Sequence, residues 1–336
     1  MSKILILKND RTGDLFVSLK IINKIINKYE KSPIEIFLSN VNYKFCFLFP
    51  SIRLKKILPM KLGFLDKIKI LLYLYINDIS DVYILSPKKF YYYLPFIFRK
   101  INFHAIVINS NHLRPSLYLR KYIKKFVIID RVNLKKRKSS YNTQSELIKD
   151  NFSEYNKIND KVIDKNNFTL PENFVFFHYK KNLFKNLLNW NLDNIENFLF
   201  LLKNKYDNVL FSSENKDIFL NNYYSKKFNT FNFNTKKNLN INDKNIFFLL
   251  DIDGAELFNV VKKSKIVIAP EGIISHMSYF LNKPLLTLMH FNIKNKLDLK
   301  NQLISCKEWF PPSNYYFIVL KKDFNKSINR ILKRLI

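Results

Sequence analysis

Glycine is scarce in this chain: four among 336 residues, at positions 13, 63, 254 and 272. Where so few survive, each points to a need of the backbone. Cysteine is scarcer still. Cys46 and Cys306 stand far apart with no CxxC or Cys/His spacing, which argues against a disulfide framework and a structural zinc site. Acidic residues number 27 against 57 Lys and Arg, a formal charge of +30. Long apolar runs are missing. Residues 70–76 and 91–98 are the most apolar, far below the roughly 20 residues of a spanning helix. The opening MSKILILKND has neither the apolar length nor the small-residue cleavage site of a secretory signal. A soluble, cytoplasmic protein is expected, of two domains at roughly 150 residues each.

What is present fills sizeable cores: 47% hydrophobic and 16% aromatic residues, too many for a disordered chain. The Lys/Asn/Ile/Phe-heavy alphabet has the look of AT-rich coding, which contributes to the charge. The neighbours such a charge selects are polyanions: nucleic acid, an anionic membrane face or phosphorylated small molecules.

Short β-branched or aromatic runs recur at 4–7, 34–38, 82–85, 105–108, 127–129, 174–177, 209–211, 246–250, 266–268, 285–288 and 316–320. Continuous apolar runs suit strands buried on both faces. Helical stripes lie between them, at Leu15, Leu19, Ile22, Ile26 and Tyr29, at 192–206 and at 256–263. Strands alternating with helices predict parallel, doubly wound sheets. A polar stretch at 160–172 separates an N-terminal domain, 1–165, from a C-terminal one, 172–336. Residues 215–245, rich in Asn, Lys, Phe and Tyr, read as a loosely ordered insertion or as compositional drift.

Two glycines occupy matching places. Lys8-Asn9-Asp10-Arg11-Thr12-Gly13-Asp14 runs from the first strand into the first helix. Ala269-Pro270-Glu271-Gly272-Ile273-Ile274-Ser275-His276 does the same in the second half. Both lie at the C-terminal ends of parallel strands, where open α/β sheets bind ligands. Asp14 reads either as a helix-capping aspartate or as a carboxylate base. The Gly272 turn offers backbone N–H groups to a phosphate, with Ser275 and His276 adding donors; its plain alternative is a capped helix with a surface histidine. The DxD-like Asp251-Ile252-Asp253 reads as structural, with Asp253 capping the next helix.

ILILKNDRTGDLFVSLKII and SKIVIAPEGIISHMSYFLNKPLLTL resemble, in order, the two signatures of the family 9 glycosyltransferases, the lipopolysaccharide heptosyltransferases. The resemblance spans nearly the whole chain. It implies a GT-B fold, two Rossmann-like doubly wound domains facing across a cleft, with acceptor bound mainly by the first and nucleotide-sugar donor mainly by the second. Asp14 falls on the family's proposed base. Gly13, Glu271, Gly272, Ile273, Ile274, Ser275 and His276 fall on its phosphate-binding positions, and Lys8 and Arg11 beside the acceptor or phosphate. Glu271 stands where the family has Asp, and the glycine comes one place early. The family's basic residue two before a Trp has no match before Trp190; Lys185, five back, is the substitute, and Glu214 the counterpart of a ribose contact.

The expected activity is metal-independent, inverting transfer of a sugar, ADP-heptose the default donor, to a lipopolysaccharide-core or related anionic glycolipid. No resident cofactor, no nucleic-acid partner and a monomer are expected. Arg114, Arg120, Lys121, Lys124, Lys125, Arg131, Lys135, Lys136, Arg137 and Lys138, with Tyr91, Tyr92, Tyr93, Phe96 and Phe98, suggest a surface for peripheral contact with the inner face of a membrane or for phosphosugar binding or, equally, a solvated face. A basic nucleic-acid-binding protein and a non-catalytic nucleotide-sugar scaffold are the other readings.

Overall fold

The computed structural model describes residues 2–110, 115–133, 138–148, 170–214, 217–240, 245–291, 296–310 and 315–335. They form two compact units, Met1–Asn159 with Leu297–Pro312, and Asp160–Lys296 with Ser313–Ile336.

The first unit carries strands β1 (Lys3–Lys8), β2 (Ile34–Ser39), β3 (Arg53–Leu58), β4 (Ile79–Ile84), β5 (Asn102–Asn109) and β6 (Lys125–Asp130). Its helices are α1 (Thr12–Val17), α2 (Leu19–Lys28), α3 (Phe64–Ile76), α4 (Leu94–Ile97), α5 (Leu117–Arg120) and α6 (Ser140–Ser145). The sheet is wholly parallel, in the order β3-β2-β1-β4-β5-β6. Ile4, Leu5, Ile6 and Leu7 of β1 are at most 1% exposed, as a central strand covered on both faces requires. Leu5, Leu7, Phe37, Ile70, Tyr73, Ile84, Tyr91 and Tyr92 share one core. Tyr91 and Tyr92, expected at a membrane-facing surface, are therefore core residues.

The second unit adds β7 (Phe174–His178), β8 (Asn208–Ser212), β9 (Asn229–Asn232), β10 (Lys237–Asn240), β11 (Ile246–Leu250), β12 (Ile266–Pro270), β13 (Leu285–Met289) and β14 (Tyr315–Val319). The order is β10-β9-β11-β8-β7-β12-β13-β14, with only β10 antiparallel. Helices α7 (Leu192–Lys203), α8 (Ile218–Lys227), α9 (Gly254–Lys263), α10 (Ile273–Phe280) and α12 (Phe324–Leu332) pack around it, while α11 (Lys296–Cys306) leads the chain back into the first unit.

All eleven predicted runs are strands. The three the sequence hides have clear reasons. β3 (RLKKIL) is an edge strand, held by β2 alone, and its Arg and Lys residues tolerate water. β9 and β10 lie in the Asn-rich segment 215–245 and pair through backbone groups that need no apolar pattern. The Leu15–Tyr29 stripe becomes two helices that part at Ser18. That hydroxyl lies 3.1 Å from the Asp14 carbonyl and 2.6 Å from Gln144 Oε1. A single split of the chain near residue 170 also misses the return of Leu297–Pro312 to the first unit.

Candidate functional site

In an open parallel sheet the ligand crevice forms where strand order reverses, outside the carboxyl ends of the two strands there. The first unit reverses between β1 and β4, the second between β7 and β12. Each glycine junction sits at one of these points.

At the first, Lys8 ends β1 with its side chain 1% exposed. Its ammonium donates to Asp10 Oδ2 at 2.8 Å and to the Leu85 carbonyl beyond β4 at 3.3 Å, joining the tops of the two strands. The loop between β1 and α1 is held from below. Asn42 Nδ2 donates to the carbonyls of Lys8 and Asp10 at 3.0 and 3.3 Å, Ser39 Oγ to that of Asp10 at 2.6 Å, and Asn9 bridges the Pro59 carbonyl and the Tyr91 hydroxyl. Every such bond satisfies backbone or buried amide that would otherwise be orphaned, so the turn has little freedom.

Asp14 is the third residue of α1, half-buried, in a cavity of about 280 Å³ that it lines with Lys8, Asp10, Arg11, Ser86, Lys88, Arg131, Gln144 and Trp309. The helix N-cap is Arg11, and no side chain caps it. The capping reading of Asp14 therefore fails: among the described residues its carboxylate has neither hydrogen bond nor ion pair. Gly13 lies inside α1 and has no positive φ, so the turn does not demand glycine on conformational grounds. Lys8, expected to meet ligand, is spent on Asp10; Arg11 is exposed at the rim.

Asp10 is the residue that motif reading passed over. Its side chain is 17% exposed, and burial raises its pKa; Lys8 opposes the shift, while the Asp14 charge adds to it. The Ser86 hydroxyl faces Asp10 and favours the ionised form, yet it stands outside hydrogen-bonding geometry, so among the described residues Asp10 Oδ1 and Ser86 Oγ are both buried without a partner. Lys88, whose ammonium donates to the Met60 carbonyl, has its pKa lowered by burial, with Asp10 and Asp14 pulling the other way. The topological rule finds Ser86 and Lys88, since both follow β4 at the switch point.

At the second switch point Gly272 is the N-cap of α10, with φ +153° and open space around it. A backbone in that region strains any side chain, so this glycine is conformational. The first N–H groups of α10 have no partner within the helix and point out of its positive end. Ser275 is 2% exposed and its hydroxyl donates to the Pro270 carbonyl at 3.2 Å, bracing the turn. His276 is 5% exposed, so it is no surface histidine. Glu271 is exposed, and its carbonyl accepts from Lys180 Nζ at 3.5 Å.

Lys180 and His178, at the end of β7, were missed for want of a motif. His178 Nδ1 lies 2.9 Å from Ser212 Oγ, and burial, helped by Lys180, lowers its pKa to about 4, so the imidazole is neutral at pH 7. Glu214 Oε2 accepts the Lys181 backbone N–H at 3.2 Å. Lys185 lines a cavity of about 220 Å³ with Trp190, Lys181 and Asp217. Asp253 does cap α9, donated to by the Gly254 N–H at 2.7 Å. Among the described residues no three His, Cys, Asp or Glu side chains are grouped as a metal would need, and no helix is long and apolar enough to cross a membrane.

No family model and no curated protein sequence matches the chain. Solved structures do. ADP-heptose LPS heptosyltransferase II from E. coli aligns at TM-score 0.65 and 12% identity over 99% of this chain and 97% of its own. The family 9 glycosyl transferase from Veillonella parvula aligns at 0.64 and 12% over 100% and 90%. UDP-GlcNAc 2-epimerase from Methanocaldococcus jannaschii follows at 0.53 and 13% over 100% and 99%. Over its whole length, then, the chain has the GT-B fold of the family 9 glycosyltransferases.

Proposed function

We propose that this protein transfers a sugar from a nucleotide diphosphate to an anionic glycolipid acceptor, with inversion and with cations and backbone N–H groups in place of a metal. ADP-heptose is the default donor. The observation that carries the reading is the unengaged Asp14 carboxylate at the switch point of the first unit. In this reading Asp14 takes the proton of the acceptor hydroxyl as that oxygen bonds to the anomeric carbon. The bond from that carbon to the diphosphate breaks, and the nucleoside diphosphate leaves with the electron pair. Its growing charge meets the N–H groups of the Gly272 turn and the Lys180 ammonium, an electrostatic contribution placed where charge develops. Glu214 and Lys185 are assigned to the ribose and phosphate of the donor.

A membrane-borne acceptor is favoured by one surface of the first unit. Phe96, Tyr118 and Tyr122 cluster with ring centroids 5.4–5.8 Å apart, Arg99 Cζ 5.4 and 5.2 Å from the first and last, and Lys121 Nζ 4.1 Å from Tyr118. Beside them Leu72, Tyr75 and Ile97 are 52, 81 and 52% exposed around a groove of about 820 Å³ rimmed by Arg99 and Lys100. Cations among exposed aromatic and aliphatic groups suit an acidic lipid headgroup layer. Of the basic cluster, Arg114, Lys135, Lys136 and Arg137 fall outside the described residues; Arg131 belongs to the cavity and not to this surface.

The test is a thermal-shift panel of ADP, GDP, UDP, CDP and dTDP sugars. One nucleotide class is expected to stabilise the protein, by about 2.7 kcal/mol at a hundredfold excess over Kd. Stabilisation by oligonucleotides alone, with a steep salt slope, overturns the reading in favour of nucleic-acid binding. Donor binding without turnover on any acceptor leaves a scaffold, and sugar inversion at C2 of a UDP-sugar leaves an epimerase.

A further inference from the structure

The chain has two tryptophans. Trp190 is 3% exposed and packs on Phe184 and Phe324 in the core of the second unit. Trp309 is different: half-buried, it forms part of the wall of the first unit's cavity, among charged groups. An indole placed there contributes little to a core, and no sequence motif accounts for it.

Its position is enforced. Glu308, 1% exposed, receives the Arg131 guanidinium through Nη2 at 2.6 Å and Nε at 2.8 Å, and the same guanidinium lies 4.9 Å from the Trp309 ring centroid. The Glu308 carbonyl accepts the Ser140 N–H at 2.9 Å, and the Trp309 N–H donates to the Cys306 carbonyl at 2.9 Å. Backbone and guanidinium together hold the ring at the cavity.

Three kinds of group then converge on one space of about 280 Å³, near the lower end for small-molecule sites and sized for a single ring. The indole offers a flat apolar face with a negative π surface, matched by the C–H face of a sugar ring. Asp10 and Asp14 offer acceptors for hydroxyls. Arg11 and Lys88 offer cations; of the other two in the lining, Lys8 is paired with Asp10 and Arg131 with Glu308, so Arg11 and Lys88 stand against the single carboxylate of Asp14. A purely apolar ligand would meet none of these polar groups, and a neutral sugar would leave the Arg11 and Lys88 cations unused.

We propose that Trp309 is the platform on which the acceptor's sugar ring stacks, and that this cavity selects a sugar bearing an anionic substituent, phosphate or carboxylate. The inference rests on the reading of the first unit as the acceptor side of a glycosyltransferase. Trp309 orients the ring and takes no part in proton transfer.

The test uses the full-length protein and mannose 6-phosphate, glucuronate, mannose and inorganic phosphate as probes. In Trp190→Phe, where Trp309 is the sole tryptophan, emission is expected to change saturably with mannose 6-phosphate or glucuronate, the responding probe telling phosphate from carboxylate. Mannose or inorganic phosphate alone should leave it unchanged. If that variant does not fold, the wild-type spectrum minus that of Trp309→Phe reads the same signal. By calorimetry, Trp309→Ala should bind the sugar anion about tenfold more weakly, as loss of one aromatic contact implies, while Trp309→Tyr stays within about threefold. Equal affinity in Trp309→Ala, a silent Trp309 on binding, or no binding of either sugar anion at 10 mM overturns the proposal. Nucleotide-sugar binding is measured alongside. A protein that binds nucleotide sugar but no sugar anion loses only the platform; one that binds sugar anions through Trp309 but no nucleotide sugar keeps the platform and loses the transferase.

Discussion

Arg131 and Glu308, 177 residues apart in sequence, meet as a two-pronged ion pair in which Nη2 and Nε converge on one carboxylate oxygen. The pair ties the returning segment Leu297–Pro312 to the end of β6. Glu308→Ala is expected to cost roughly 2–3 kcal/mol in urea unfolding, less than the ~3–5 of a fully buried pair because the Arg131 side chain keeps 29% exposure. The double variant Arg131→Met/Glu308→Leu should recover most of the loss, since paired apolar groups leave no charge stranded. A double variant no more stable than Glu308→Ala would show that the bond tying down this segment lies elsewhere.

Asp14→Asn should fold as the wild type does, because Asp14 caps nothing and bonds to nothing among the described residues. Turnover should fall by about 10²–10⁴, the usual contribution of a general base, with nucleotide affinity unchanged. Sugar transfer at near wild-type rate would remove Asp14 from the mechanism.

Gly272→Ala meets no neighbouring atom, so its cost is purely conformational. A positive φ of this kind costs an L-residue about 1–3 kcal/mol. Nucleotide affinity should fall along with thermal stability, since the N–H groups of the turn move together. Destabilisation with intact nucleotide binding would take the turn out of the donor site.

His178 supplies a pH signature. Its pKa is depressed to about 4 in the folded chain against 6.5 for the free side chain. The unfolded state therefore binds the proton first as pH falls, so stability is fully present above about 6.5 and is lost progressively down to about 4. The full difference corresponds to about 3 kcal/mol as an upper limit. His178→Gln should flatten the stability profile between pH 7 and 5; an unchanged slope would assign it to other groups.

The exposed surface of the first unit should bind vesicles only when they contain acidic lipid, with binding fading as salt rises. Arg99→Glu and Lys121→Glu should weaken co-sedimentation by on the order of 1 kcal/mol or more each. Equal binding to neutral vesicles, or none to either, would leave this face merely solvated.

Strands and their order of appearance were legible in sequence because buried parallel strands such as β1 and β12 are continuous apolar runs, a local property. The two glycine turns were legible for a related reason: Gly272 answers a dihedral demand of its own residue, and its meaning travels with it. Strands β3, β9 and β10 were not, since they are held by backbone pairing with their neighbours and carry no continuous apolar run of their own.

By itself, then, the sequence determined two parallel α/β halves, each containing a strand–turn–helix junction that carries a glycine and an acid. Only the tertiary structure decided which side chains stand around those junctions. It set Lys185 in a cavity beside Trp190, brought Lys180 and His178 to the switch point of the Gly272 turn, paired Lys8 with Asp10 and left Asp14 outside the cap of its helix. It alone carried Trp309 from the far end of the chain to the cavity of Asp14. The reason is physical: a turn's shape depends on a few consecutive dihedral angles, whereas a cavity is assembled through space by burial, which neighbouring residues in sequence do not record.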